Sequence, residues 1–176
     1  MSKPLIINLM GGPGSGKSTT AAGIFHELKL KGYNCELVTE FAKHVVWREN
    51  FSTLKNQLYI YAKQHDRIFH LKDKVEVIIT DSPTVMGLVY ADFTKVSPSF
   101  EQLALDEFNR EDCINLNIFI NRVKPYNPKG RTQDEEAARE KDQDILNLLH
   151  RLNIPYVRID GDENAVNSIV EMVLTK

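Results

Sequence analysis

The sequence predicts an α/β fold with three layers, in which a parallel sheet of five strands lies between helices. Short apolar runs, typical of strands buried on both faces, alternate with segments of helical periodicity along the 176 residues. Since parallel strands are joined by crossover helices, this alternation indicates right-handed βαβ units. The length, with 42% hydrophobic and 26% charged residues, fits one globular domain over 1–176.

Each element has its own local signal. The apolar runs predict strands at residues 4–10, 35–39, 75–80, 116–121 and 155–159. Apolar residues three and four apart predict helices at residues 17–31, 52–72, 99–110, 132–152 and 166–173. Gly32 ends the first of these helices, and the capping-box spacing of Thr132 and Glu135 begins the fourth. The prolines and glycine of 124–130 exclude regular structure and predict a mobile lid loop at about 123–135.

Charge and cysteine content limit the classes of partner. The net charge of −2 does not by itself draw the protein to DNA or anionic lipid. Cys35 and Cys113 form no Cys-x-x-Cys pair, which favours free thiols over a metal site. The first apolar run has only six or seven residues, too few for a signal peptide or membrane span. We therefore expect no membrane partner and a cytoplasmic location, in a bacterium or in the host of a phage.

A glycine-rich loop between the first strand and the first helix carries the strongest signal. Residues 11–19 fit the pattern G-x-x-x-x-G-K-[ST] in the strand–loop–helix context that a P-loop requires. Glycines let backbone N–H groups turn toward a phosphate, and the N-terminus of the next helix favours the same anion. The predicted nucleotide-binding residues are Gly12, Gly14, Ser15, Gly16, Lys17, Ser18 and Thr19. Lys17 would reach the β- and γ-phosphates and Ser18 would bind Mg²⁺.

Missing motifs narrow the class of P-loop protein. No guanine-specifying Asn/Thr-Lys-x-Asp, no Asp-x-x-Gly switch and no Leu-Ser-Gly-Gly-Gln signature occurs. These absences argue against GTPases and transporter ATPases. The remaining plan is that of a small kinase, which positions an acceptor hydroxyl against the γ-phosphate of ATP.

Four further residues fit that plan. Glu40 follows the second strand, at the sheet edge where ligands of open α/β sheets gather, and could accept the acceptor's proton. Asp81 directly follows the third strand and could hold Mg²⁺ through water or act as the base instead. Arg122 and Arg131 flank the Pro/Gly-rich segment and could bring guanidinium charge to the transferring phosphoryl group. The alternatives are a solvated glutamate, a turn-forming aspartate and surface arginines.

Several short motifs follow one another along the chain: the P-loop, Val38-Thr39-Glu40, Gln57 and Gln64 on one helix, Asp81-Ser82-Pro83, and Arg131-Thr132-x-x-Glu135-Glu136. Their order resembles that of the P-loop nucleoside kinase group. The chain is most similar to the nicotinamide-riboside-kinase-like domains of bacteria and phages, and more distantly similar to deoxynucleoside kinases.

The resemblance implies roles for single residues. Glu40 would be the catalytic base, Gln64 or Gln57 would contact the acceptor, and Arg131 would be the lid arginine. Tyr61 shares a helix stripe with both glutamines, and Lys43 and Trp47 follow Glu40, which adds these three to the predicted acceptor site. Two departures leave the acceptor open: Asp81-Ser82-Pro83 contains no arginine, and Phe41 stands where a proline commonly follows the glutamate.

Three functional hypotheses follow. The first is a Mg²⁺- and ATP-dependent kinase acting on a nucleoside- or nucleotide-like small molecule. The second keeps this chemistry and takes hydroxymethylated pyrimidines in phage DNA as the acceptor, with aromatic residues between the second strand and the long helix stacking on bases. The third is an ATP-binding switch or slow ATPase that regulates a partner. A homodimer is compatible with all three.

Overall fold

The computed structural model describes residues 3–126 and 134–175. The strands are β1 Leu5–Met10, β2 Cys35–Val38, β3 Val77–Thr80, β4 Ile114–Asn121 and β5 Val157–Asp160. The helices are α1 Lys17–Leu30, α2 Phe41–Trp47, α3 Phe51–Leu54, α4 Gln57–Phe69, α5 Ser99–Phe108, α6 Glu135–Arg151 and α7 Ala165–Leu174, with a 3-10 segment at Thr84–Tyr90. All five strands are parallel in the order β2-β3-β1-β4-β5, which confirms the predicted fold class.

The sheet buries apolar side chains on both faces. On one face, Ile7, Leu9 and Ile118 pack with the buried stripes of α1 and α7. On the other face, Met10 and Phe119 pack with α4, α5, α6 and the 3-10 segment. Two covered faces explain why the strands read as continuous apolar runs in the sequence.

The register brings three strand ends to the same place. Asn8 of β1 lies beside Thr80 of β3, and Met10 of β1 lies beside Phe119 of β4. Because parallel strands all end at one edge of the sheet, the loops after β1, β3 and β4 meet there. The central position of β1 thus places the glycine loop between the segments that begin at Asp81 and Arg122.

Two helix boundaries differ from the prediction. The single helix predicted over 52–72 is two helices, because the Asn56 side chain accepts a hydrogen bond from the Tyr59 N–H and begins α4 anew. Asp134 caps α6 by accepting a hydrogen bond from the Ala137 N–H at 2.8 Å, whereas the prediction placed the helix start at Thr132, which lies outside the described residues. Sequence periodicity did not reveal the 3-10 segment. Among the described residues, no helix is long and apolar enough to cross a membrane.

Candidate nucleotide-binding and catalytic site

The glycine loop wraps around the amino end of α1 and carries Lys17 at its end. Gly14 and Gly16 have φ of 82° and 107°, a region that side chains with a β-carbon rarely adopt. The Lys17 ammonium donates hydrogen bonds to the carbonyl oxygens of Gly11 at 2.6 Å and Gly12 at 3.0 Å. The loop thus has the backbone geometry of a phosphate cradle, and its lysine folds back over it.

Ser18 and Asp81 form a short polar link beside this loop. The Ser18 hydroxyl donates to Asp81 Oδ2 at 2.5 Å, and Asp81 is only 3% exposed. The other carboxylate oxygen, Oδ1, is buried and has no hydrogen-bond partner among the described residues. A buried acceptor without a donor is costly, so this oxygen is suited to a cation or its bound water.

These two side chains fit a magnesium ion. In phosphoryl-transfer sites, Mg²⁺ uses one or two protein oxygens and completes its shell with water and phosphate. A hydroxyl and a carboxylate with a free oxygen supply such a set. No cluster of three or more His, Cys, Asp or Glu side chains able to hold a metal occurs in the described chain.

Glu40 is the N-cap residue of α2, separated from β2 by Thr39, and is part of the same charged cluster. Burial raises the pKa of its carboxyl; the positive charge of Lys17 opposes this rise and Asp81 adds to it. Burial likewise lowers the pKa of the Lys17 ammonium, against the attraction of Glu40 and Asp81. For both groups burial outweighs the attraction of the opposite charge, although both residues are only half-buried in the structure.

Arg122 and Asp142 complete the cluster on the other side of the loop. The Arg122 Nε–H donates to Asp142 Oδ2 at 3.0 Å, and the Gly12 N–H donates to Asp142 Oδ1 at 2.6 Å. Three carboxylates (Glu40, Asp81, Asp142) and the Arg122 guanidinium all act electrostatically on Lys17. Lys43 also acts on Glu40, so carboxylates and cations are equal in number around the loop.

The residues predicted for the acceptor site are more dispersed. Gln64 is 4% exposed, and its amide accepts a hydrogen bond from the Phe41 N–H at 2.9 Å. Gln57 donates to the carbonyl of Leu54 at 2.7 Å. Both glutamines thus hold α4 to its neighbours in this structure.

The other predicted acceptor residues also differ in environment. Tyr61 packs edge-to-face on Phe100 in the core, and burial raises its pKa to about 12. Trp47 is 67% exposed, and Lys43 is exposed as well. Arg131 lies outside the described residues. The acceptor roles of these residues remain predictions.

Sequence reasoning missed three residues near the site. Asp142 lies on the buried stripe of α6. A carboxylate among the apolar positions of a helix indicates a buried partner, and this sequence signal could have identified Asp142. Tyr90 ends the 3-10 segment, and its pKa is raised by burial and by the charges of Glu40 and Asp142. Gly161, interpreted from sequence as a turn residue, packs against the glycine loop.

Gly161 provides a test of how tightly the loop is supported. A β-carbon at Gly161 would lie 2.5 Å from the carbonyl oxygen of Ser15 and 3.1 Å from that of Asn121. We expect Gly161→Ala to displace the loop and lower the affinity for ATP by about tenfold to a hundredfold, measured by calorimetry. Gly87→Ala is the matched control, since no described atom lies within 4 Å of its added carbon. Equal affinities of the two variants would contradict this packing argument.

Comparison with known sequences supports the interpretation of the loop. Residues 6–165 match a family described as "AAA domain". The chain belongs to this AAA domain family. The match runs from the second residue of β1 past the end of β5, and it confirms the P-loop domain that the motifs predicted. A curated "Probable thymidylate kinase" from Sulfurisphaera tokodaii is 26% identical to this AAA domain over 170 residues, covering 85% of each chain.

Solved structures show the same fold. Two structures of NadR, one in complex with NR and one with NAD and AMP-PNP, superpose on this AAA domain with TM-scores of 0.70 and 0.69 at 18% and 17% identity. Each covers 98% of this chain, which spans 51% and 49% of the respective NadR chains, about half their length. Deoxyadenosine kinase from M. mycoides, with dCMP and dCDP bound, has a TM-score of 0.55 at 19% identity and 97% coverage of both chains. The AAA domain is thus similar in fold to NadR and to deoxyadenosine kinase.

Proposed function

We propose that this protein is a Mg²⁺- and ATP-dependent kinase that transfers the γ-phosphoryl group to a hydroxyl of a nucleoside- or nucleotide-like acceptor. The Ser18–Asp81 link beside the P-loop, with its free buried carboxylate oxygen, carries the proposal. The similar proteins support the class of acceptor, since NR and dCMP are bound in two of them and a third is named a probable thymidylate kinase.

The transfer needs a group that takes the acceptor's proton. The hydroxyl oxygen forms a bond to the γ-phosphorus, the bond from that phosphorus to the β-γ bridging oxygen breaks, and ADP leaves. Glu40 would accept the hydroxyl proton, since burial gives its carboxylate a higher affinity for protons than an exposed glutamate has. Asp81 is engaged by Ser18, which favours Glu40 over Asp81 as the base.

The remaining charged side chains would bind and shield the phosphates. Lys17 would exchange its two backbone acceptors for phosphate oxygens when ATP enters. Ser18 and Asp81 would hold Mg²⁺, which neutralises phosphate charge when bound. Arg122 would add guanidinium charge, and Arg131 keeps its predicted lid role.

A panel of acceptors tests the proposal. The protein is incubated with Mg²⁺ and γ-³²P-labelled ATP and with nucleosides, nucleoside monophosphates, or an oligonucleotide containing 5-hydroxymethylcytosine, and the labelled products are separated. We expect label on a small-molecule hydroxyl. Label on the oligonucleotide alone, with steeply salt-dependent binding, would favour the DNA alternative. ATP hydrolysis that no acceptor stimulates would contradict the kinase and favour the switch.

The pH dependence of the reaction tests the role of Glu40. Because the carboxylate is the active form, kcat/KM for ATP should fall as the pH drops through the pKa of Glu40. Burial raises that pKa, so the fall should begin above the pH expected for an exposed glutamate, whose pKa is 4.5. An acid limb at or below that value, or the same limb in Glu40→Gln, would show that another group titrates.

A further inference from the structure

We propose that Asp142 is a positioning residue for nucleotide binding, which holds the Arg122 guanidinium against the phosphates and fixes Gly12 of the P-loop. The inference rests on the proposed ATP site and adds to it a residue from α6, far along the chain. Its support is the geometry of three groups: a carboxylate with both oxygens hydrogen-bonded, a buried guanidinium with one nitrogen that lacks a hydrogen bond, and a glycine beside that nitrogen.

The position of Asp142 on α6 is unusual for a carboxylate. Ala138, Ile145 and Leu149 have no measurable exposure and form the buried stripe of the helix. Asp142 lies on the same stripe, and its side chain is 17% exposed. An ionised side chain at such a position is destabilising unless it is paired and hydrogen-bonded, so its partners account for its presence.

Each oxygen of Asp142 has a different partner. Oδ1 accepts from the Gly12 N–H at 2.6 Å, and Oδ2 accepts from the Arg122 Nε–H at 3.0 Å. One rigid carboxylate thereby links the P-loop to the residue that follows β4. Asparagine has only one acceptor atom on its amide, so Asp142→Asn must lose one of these two bonds.

The Arg122 guanidinium is held by two of its three nitrogens, and the third has no hydrogen bond among the described residues. The Arg122 side chain is 4% exposed, and one terminal nitrogen, Nη2, donates to the carbonyl of Ala138 at 3.4 Å. The other, Nη1, is buried and has no hydrogen-bond partner among the described residues. A buried charged donor without an acceptor indicates a ligand, and a phosphate oxygen is the acceptor that guanidinium groups favour.

The unused nitrogen lies against the phosphate-binding loop. A β-carbon on Gly14 would come within 3.2 Å of Arg122 Nη1. The Tyr126 ring lies 3.1 Å from the same added carbon and the guanidinium lies over this ring, so Gly14 leaves room for both side chains beside the loop. In the proposed complex, Nη1 would donate to an anion held by the loop. Because Asp142 fixes both the loop and the arginine, it sets the distance between the two.

Binding of ATP to single variants is the first test. With Mg²⁺ present, calorimetry should show ATP affinity falling by between about tenfold and a hundredfold in Asp142→Asn, the effect of a lost charge-assisted hydrogen bond. Asp144→Asn is the matched control, since Asp144 lies on the exposed side of α6 in a surface pair with Lys141, and its affinity should equal that of the wild type. Asp142→Glu keeps the charge and lengthens the side chain, so it should be impaired too, whereas a role in charge balance alone predicts wild-type affinity.

Chemical rescue separates positioning from general support of the fold. Arg122→Ala should regain ATP affinity in millimolar guanidinium chloride, because Asp142 can hold the free cation in the vacated space. The double variant Arg122→Ala/Asp142→Asn should not regain it. Equal rescue of both, rescue of neither, or wild-type affinity in Asp142→Asn would overturn the inference. If the wild type binds ATP but transfers label to no acceptor, the proposed kinase function is refuted. The binding results would still decide whether Asp142 positions the loop and Arg122.

Discussion

Glu40→Gln is expected to lower kcat by about 10²- to 10⁴-fold while changing ATP affinity by less than about threefold. The glutamine occupies nearly the same volume but cannot accept the acceptor's proton. Lys17, whose pKa already responds to the charge of Glu40, keeps its hydrogen bonds to the loop carbonyls. Rates of γ-phosphoryl transfer and ATP binding by calorimetry, measured on the same preparation, check both halves of this expectation.

The matched control for this variant is Glu49→Gln. Glu49 is exposed and lies past the end of α2, so the same chemical change there should leave kcat unaltered. A Glu40→Gln protein with the wild-type rate would remove Glu40 from the chemistry and transfer the role of base to Asp81. A large loss of ATP affinity would instead show that Glu40 supports the nucleotide site.

Lys17→Met is expected to lower ATP affinity by at least about a hundredfold and to abolish measurable phosphoryl transfer. Methionine fills the space of the lysine stem and removes the only ammonium that reaches the loop carbonyls among the described residues. The triphosphate would then face the carboxylates of Glu40, Asp81 and Asp142 with one fewer cation to offset them. Calorimetry with ATP and Mg²⁺ measures the first effect, and label transfer measures the second.

Lys31→Met serves as the control for the loss of a lysine, at the opposite end of α1. Lys31 follows the carboxyl end of α1 and is exposed, so its replacement should leave ATP binding intact. Thermal unfolding of both variants establishes that they fold. Retained ATP affinity in folded Lys17→Met would contradict the assignment of the loop.

The parts of the site that the sequence could predict are those set by local order along the chain. The loop from Gly11 to Ser18 follows a strand and begins a helix, and this local context defines its backbone shape. Asp81 directly follows an apolar strand, so parallel pairing alone brings it to Ser18. The fold class followed from the same logic, because covered sheet faces produce continuous apolar runs.

The parts that could not be predicted depend on packing between distant segments. Asp142 accepts a hydrogen bond from Gly12, which lies 130 positions away in the sequence, and no local sequence pattern predicts that contact. In the sequence, Gly161 has only the features of a turn glycine, and its packing against Ser15 is visible only in the structure. The apolar periodicity continues through Asn56, so periodicity alone favours one long helix. The side chain of Asn56 instead caps α4 and divides the predicted helix in two.

The Mg²⁺ dependence of ATP binding tests the central claim most directly. Calorimetric titrations of ATP are made with Mg²⁺ and with a chelator, on the wild type and on Asp81→Asn. We expect Mg²⁺ to tighten ATP binding to the wild type, and Asp81→Asn to lose this gain while it keeps the weaker binding seen without the metal. No binding of ATP, or a gain from Mg²⁺ that is the same in both proteins, would contradict the claim that the glycine loop and the Ser18–Asp81 link form a magnesium nucleotide site.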